Sequence, residues 1–232
     1  MIEILYQDED VIAVNKPEGV AAIPESDLSR PCLLAELQHG CAAPLFVVHR
    51  LDKEVSGVIL FARHAAAHKC LNDQFAGREV SKIYLAVLHG VVSGEGGQID
   101  RPIRQFGSGR MGIDPEGGKP SLTEYRVVER LPEFTVVEAH PRTGRRHQLR
   151  VHFYSLGHPI VGDLRYGDRA VQSRFPRLML HARRISLRLP SGKALSVECP
   201  PPASFVDALA RIAAPREPSL DCRSGPTVPA GP

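Results

Sequence analysis

Asp52 and Arg50 stand two residues apart in VVHRLDKEVSGVILFAR, residues 47–63, between two apolar runs. Val47-Val48 leads in and Val58 to Ala62 leads out, so a carboxylate and a guanidinium interrupt what otherwise reads as buried strand. Charge beside a buried strand is costly unless it is paired or used. A strand end also holds a catalytic group in fixed geometry. Asp52 is therefore a candidate for base or nucleophilic work, or for half of a structural ion pair. A second constellation is TGRRHQLRVHFYS, residues 143–155. Read as a helix over 145–156, it puts Arg146, Arg150 and Tyr154 on one face, beside an apolar stripe of Leu149, Phe153 and Leu156. A guanidinium can grip a buried carboxylate through two hydrogen bonds and keep it ionised. Arg150 is the candidate partner of Asp52; Arg50 or a surface water is the competing one.

The elements that must position these groups follow from hydrophobic periodicity. Strands at 2–6 and 11–15 form a hairpin around Gln7-Asp8-Glu9-Asp10. A short helix is predicted over 31–39, with Ser29 as N-cap ahead of Pro31. A strand at 57–62 leads to an amphipathic helix at 64–76, with Ala67, Leu71 and Phe75 on one face. Residues 82–89 read as a strong strand and carry Tyr84. Gly94 to Pro120, rich in Gly, Pro and charge, reads as a long loop with a short strand near Ile103. Strands at 123–130, 134–139, 178–189 and 193–198 and a helix at 203–213 complete the fold. Hairpin-linked strands with irregularly interspersed helices indicate an α+β class, a mixed and mostly antiparallel central sheet flanked by helices and loops. One domain is expected over 1–213, followed by a disordered Pro- and Ser-rich tail at 214–232.

Composition narrows the function. Of 232 residues, 43% are hydrophobic and 24% charged, as in ordinary soluble globular proteins. No apolar run approaches the ~20 residues that span a bilayer, and the N-terminus lacks the pattern of a secretory signal. Five cysteines without a C-x-x-C pair point to reduced thiols in a cytoplasm. His64 and His68 have metal-ligand spacing but no third convergent ligand, so surface histidines and no metal site are expected. Charge is uneven. Pro141 to Arg188 holds eleven arginines and only Asp163 and Asp168 as acids, so it carries +9 and leaves −6 for the rest of a +3 chain. Such a one-signed, Arg-built segment suits a polyanion, although a merely solvated face fits it as well.

Six segments together carry a resemblance: VIAVNKPEGV (11–20), HRLDKEVSG (49–57), SKIYLAVLHG (81–90), PEGGKPSLTEYRVVE (115–129), PRTGRRHQLRVHFYSLGHPIVGDLRYG (141–167) and LMLHARRISL (178–187). In order and spacing they resemble the RluA-type family of RNA pseudouridine synthases. The resemblance implies that family's fold, with an active-site cleft across the sheet. It implies isomerisation of uridine in ribosomal or transfer RNA by breaking the N1–C1′ bond, turning the base and joining C5 to C1′, without a cofactor. Matched position by position, it makes Asp52 the catalytic aspartate, Arg150 its pairing arginine, Tyr84 the aromatic that stacks on the base and Leu149 the aliphatic beside it. Arg50 becomes the arginine that fills the place of the flipped base. His49, Arg146 and His147 are expected at the substrate. The partner is then a structured RNA stem-loop, met by a monomer with no S4-like domain ahead of it. Val55 stands where the family usually has Thr. The alternative is an RNA-binding protein that keeps the fold without the reaction.

Overall fold

A computed structural model describes residues 2–25, 27, 30–40 and 44–214. The Ser29 cap and the tail from 215 onward lie outside the described residues. β1 (Glu3–Gln7) and β2 (Val11–Lys16) form the expected hairpin. Asp8 closes it, its Oδ1 accepting from the backbone N–H groups of Asp10 and Val11. Next come α1 (Leu33–His39), β3 (Phe46–Val47), β4 (Ser56–Ala62), α2 (Ala65–Gly77) and β5 (Ser81–His89). The chain continues through β6 (Gly96–Asp100), β7 (Ile103–Gln105), β8 (Met111–Ile113), β9 (Leu122–Arg130) and β10 (Phe134–Pro141). It ends with α3 (Gln148–Ser155), α4 (Arg169–Gln172), β11 (Leu180–Arg188), β12 (Ala194–Glu198) and α5 (Ala203–Ala213).

The central sheet runs β1-β2-β4-β11-β5-β10-β9-β6, with β12 paired to β11 and β3 to β4. Every ladder is antiparallel except β4 with β11. All seven residues of β4 are buried, which explains why its sequence is a continuous apolar run rather than an alternation. α2 covers this region with Ala67 and Leu71 buried and Phe75 half-buried, the face that periodicity predicts. Each fully buried Leu, Ile or Phe of this core contributes ~1.5–3 kcal/mol.

Two expectations need correction. Residues 94–120 are not one long loop: β6 extends the main sheet against β9, and β7 and β8 form a separate hairpin. Gly96 has its role in that pairing, since a Cβ there would stand 2.5 Å from the Tyr125 carbonyl oxygen. The glycine permits close approach of two strands rather than loop freedom. The helix expected from 145 begins only at Gln148, because His147 adopts a left-handed backbone (φ 53°, ψ 23°).

The parallel β4–β11 seam lies next to the Asp52 loop and is short, joining His181 to Ser56 and Ala182 to Gly57. Gly57 has φ 119°, and a Cβ there would lie 2.2 Å from the carbonyl oxygen of Ala182. Gly57→Ala should therefore combine backbone strain with a backbone clash and destabilise the protein by at least ~2 kcal/mol. Chemical denaturation measures this directly; an unchanged midpoint would contradict the tight seam.

Candidate active site

Between β3 and β4 the chain leaves the sheet, and this excursion carries Asp52. Lys16, fully buried at the end of β2, clamps it from below. Its Nζ donates to the carbonyl oxygens of Pro17 and Val20 at 2.8 Å each and of Lys53 at 3.1 Å. The Gly19 N–H also donates to the Lys53 carbonyl, and the Val55 N–H to that of Asp52. The Val55 side chain is buried in the main core, so packing holds the loop where the family's hydroxyl is missing. His49 is a strut of the same loop. Its Nε2 accepts from the Leu60 N–H at 3.1 Å and its ring stacks on Phe75. Burial, with help from the charge of Lys82, pushes its pKa down to about 3, so the ring is neutral.

Arg150 comes to this loop from α3. Its Nη1 donates to Asp52 Oδ2 at 3.1 Å and lies 3.4 Å from Glu54. The other edge of the guanidinium is taken by Asp163, with Nε to Oδ2 at 2.7 Å and Nη2 to Oδ1 at 2.8 Å. The plane lies against the Tyr166 ring, 5.4 Å from its centroid. Burial opposes the guanidinium's charge, but the hydrogen bonds and charge of Asp163, then Asp52 and Glu54, outweigh it and raise the pKa. The Arg150 side chain is 5% exposed and that of Asp52 25%. The cation is thus sealed in while the carboxylate keeps an open side.

His147 completes the group. Its left-handed backbone sets Nδ1 at 2.8 Å from the Tyr166 hydroxyl and Nε2 at 3.8 Å from Asp52 Oδ2. The Tyr166 hydroxyl also accepts from the Met111 N–H, which ties this histidine and tyrosine to β8. Tyr84 projects from β5 into the same space. Burial and then the charge of Asp52 push its phenol well above the ordinary value, so it stays protonated.

A cleft of about 1490 Å³ opens over this group. Asp52, Arg150, Tyr84, Arg50, Leu149, His49, Arg146 and His147, far apart in the chain, all line it. The face expected to unite Arg146, Arg150 and Tyr154 does not exist. Arg146 precedes the helix and is exposed, Arg150 is buried, and Tyr154 turns toward Tyr166 and Arg110. The left-handed His147 breaks the register on which the face depended. The +9 segment is likewise divided. Arg150 and Arg177 are buried in ion pairs, and Arg183 and Arg184 pair with Glu138 and Glu198. Arg145, Arg146, Arg165 and Arg169 line the cleft. Arg50 is exposed and forms no ion pair among the described residues, which leaves the partnership with Asp52 to Arg150. His64 caps α2 and pairs with Asp10. Among the described residues no cluster of His, Cys, Asp and Glu could hold a metal ion.

Residues 10–155 match the RNA pseudouridylate synthase family. The dual-specificity RNA pseudouridine synthase RluA of Vibrio cholerae is 39% identical over 85% of this chain and 83% of its own. The ribosomal large subunit pseudouridine synthase D of Pseudomonas aeruginosa is 35% identical over 93% and 73%. Among solved structures, human RNA pseudouridylate synthase domain containing 1 superposes with a TM-score of 0.75 at 34% identity, over 87% of this chain and 84% of that one. The chain belongs to the RluA-type RNA pseudouridine synthases. These enzymes are isomerases that convert uridine in RNA to pseudouridine.

Sequence reasoning missed three supports of this synthase's cleft: Asp163, Tyr166 and Lys16. For Asp163 a signal existed, since it is one of only two acids among eleven arginines. The other, Asp168, caps α4 through the N–H groups of Ala170 and Val171. Arg150→Met should destabilise the fold by ~3–5 kcal/mol, because it strands the buried Asp163 carboxylate. Adding Asp163→Leu should restore much of that loss in urea denaturation; additive losses would refute the pairing. His49 titrates near pH 3 when folded and near ~6.5 when unfolded. Its neutral form therefore stabilises the fold above that upper value, and the contribution fades as pH falls between the two. His49→Asn keeps an acceptor for Leu60 and should show a shallower stability loss between about pH 6 and pH 4; parallel curves would refute this.

Proposed function

We propose that this cleft isomerises particular uridines in stem-loops of ribosomal or transfer RNA, and that Asp52 does the chemistry. The observation that carries the reading is the Asp52–Arg150 pair, a half-open carboxylate on a sealed cation in a cleft large enough for a flipped nucleotide. The reaction breaks N1–C1′, turns the uracil and forms C5–C1′; C5 gives up its proton, N1 gains one, and nothing is oxidised or reduced. Asp52 acts as the ionised carboxylate, whether it attacks C1′ or takes a proton from the sugar. Arg150 holds its Oδ2 in place as the RNA excludes water.

The other residues divide the work of binding. A base leaves its stack at a cost of a few kcal/mol. Arg50, exposed and without an ion pair among the described residues, offsets part of this by stacking in the vacated place. Tyr84, held neutral, offers its ring to the uracil, a contact worth ~1–3 kcal/mol, and Leu149 packs beside it. His147 stands beside Asp52, its Nε2 3.8 Å from Oδ2, and His49 holds the loop that bears both Arg50 and Asp52. Arg146, with Arg145, Arg165 and Arg169 at the rim, meets phosphates. Residues 1–213 form the working unit as a monomer in the cytoplasm, where the RNA is made. The names of the Vibrio and Pseudomonas relatives, dual-specificity and ribosomal large subunit, support these RNA classes.

Asp52→Asn should reduce tritium release from [5-3H]uridine-labelled RNA to background. RNA affinity in filter binding and the unfolding midpoint should stay near wild type. Turnover by this variant at the wild-type rate would remove Asp52 from the chemistry, and loss of folding would make its role structural.

A further inference from the structure

Two lysines of this chain are withdrawn from water, and they differ in one respect. Lys16 spends all three of its N–H donors on carbonyl oxygens. Lys82, half-buried on β5, makes a single long contact, 3.4 Å to the carbonyl oxygen of Thr143. It forms no ion pair among the described residues, and burial alone lowers its pKa to about 8. A half-buried ammonium with one long protein contact is stabilised by an anion that completes it. Lys82 lines the cleft, two residues from Tyr84 and so on the same face of β5. The separation along the strand is ~7 Å, comparable with the span from a nucleobase to the backbone phosphate of its own nucleotide. Above it passes the Thr143-Gly144 turn. Gly144 leaves the approach open, since a Cβ there would meet nothing nearer than Lys82 Nζ at 3.8 Å.

We infer that Lys82 is a phosphate-binding residue of the cleft, taking a backbone phosphodiester of the nucleotide whose base stacks on Tyr84. The inference rests on the cleft being the RNA site and adds a defined anion contact inside it. It sets Lys82 apart from the rim arginines, which are exposed and meet phosphates in solvent. Neighbouring cations strengthen the same preference: Arg145 and Arg146 line the cleft beside it, and His49 stays neutral.

The test compares Lys82→Met and Lys82→Arg with wild type, using the transfer RNA or large-subunit ribosomal RNA transcript that releases tritium. Filter binding across a KCl series gives the slope of log Kd against log salt. Lys82→Met should lose about 0.7–0.9 of that slope, one phosphate's worth, and Lys82→Arg should keep it. The loss should appear in KM rather than kcat. Lys82→Met should also unfold at the same or a higher temperature, because an unpaired desolvated charge has gone. An unchanged slope would overturn the inference, as would a lower unfolding temperature or failure to fold, which marks a structural lysine. No tritium release by wild type from either transcript would instead overturn the cleft reading, and the inference with it.

Discussion

The cleft depends on how one buried arginine is shared. Sealing Arg150 away from water carries a penalty of several kcal/mol, and Asp163 offsets it with two short, parallel hydrogen bonds. Because Asp163 occupies Nε and Nη2, only Nη1 is left to face the Asp52 loop. The guanidinium cannot rotate without breaking its stronger pair. Asp52 is thereby held at one oxygen by a cation whose orientation is fixed elsewhere. Asp163 Oδ1 also accepts from the backbone N–H groups of Arg165 and Tyr166. The same carboxylate thus sets the path of the segment that brings Arg165 and Arg169 to the cleft mouth. Floor and rim share an anchor.

A second buried network steadies the seam beside it. Arg177 donates from Nη2 to Ser56 Oγ at 2.7 Å, and Ser56 is bonded to His181 Nδ1 at 2.9 Å. The same guanidinium pairs through Nη1 with Glu18 and with Ser204 on α5. Burial lowers its pKa, with Glu18 opposing. The N-terminal turn, the strand leaving the Asp52 loop and the last helix are therefore tied by one side chain. With Lys16 bonded to the Lys53 carbonyl, the chain leaving Asp52 is held by buried cations, while neutral His49 holds the chain that enters.

Much of this was legible from residue order, where a local physical signal existed. Apolar runs marked β4 and β5, and the face of Ala67, Leu71 and Phe75 marked α2. The link from Asp52 to Arg150 followed from the needs of a buried carboxylate and from the matched segments. What failed had no such signal. A left-handed histidine is uncommon, and nothing in TGRRHQ announces that the helix waits until Gln148. β6 is too short and glycine-rich to show periodicity, and its strand character comes from β9 beside it. Lys16 gives no sign of burial in the sequence, since whether a lysine finds carbonyls depends on loops remote in sequence.

The place of β11 in the sheet has a consequence for biosynthesis. This strand lies between β4 and β5 and, among the described residues, is the one strand that pairs with both. Until it emerges from the ribosome, the halves bearing Asp52 and Tyr84 have no shared backbone ladder. At roughly 5–20 residues per second, translation holds the nascent protein for several seconds as two unjoined sheets with open, apolar edges. The two halves of the cleft are therefore joined only after the chain has been made through β11.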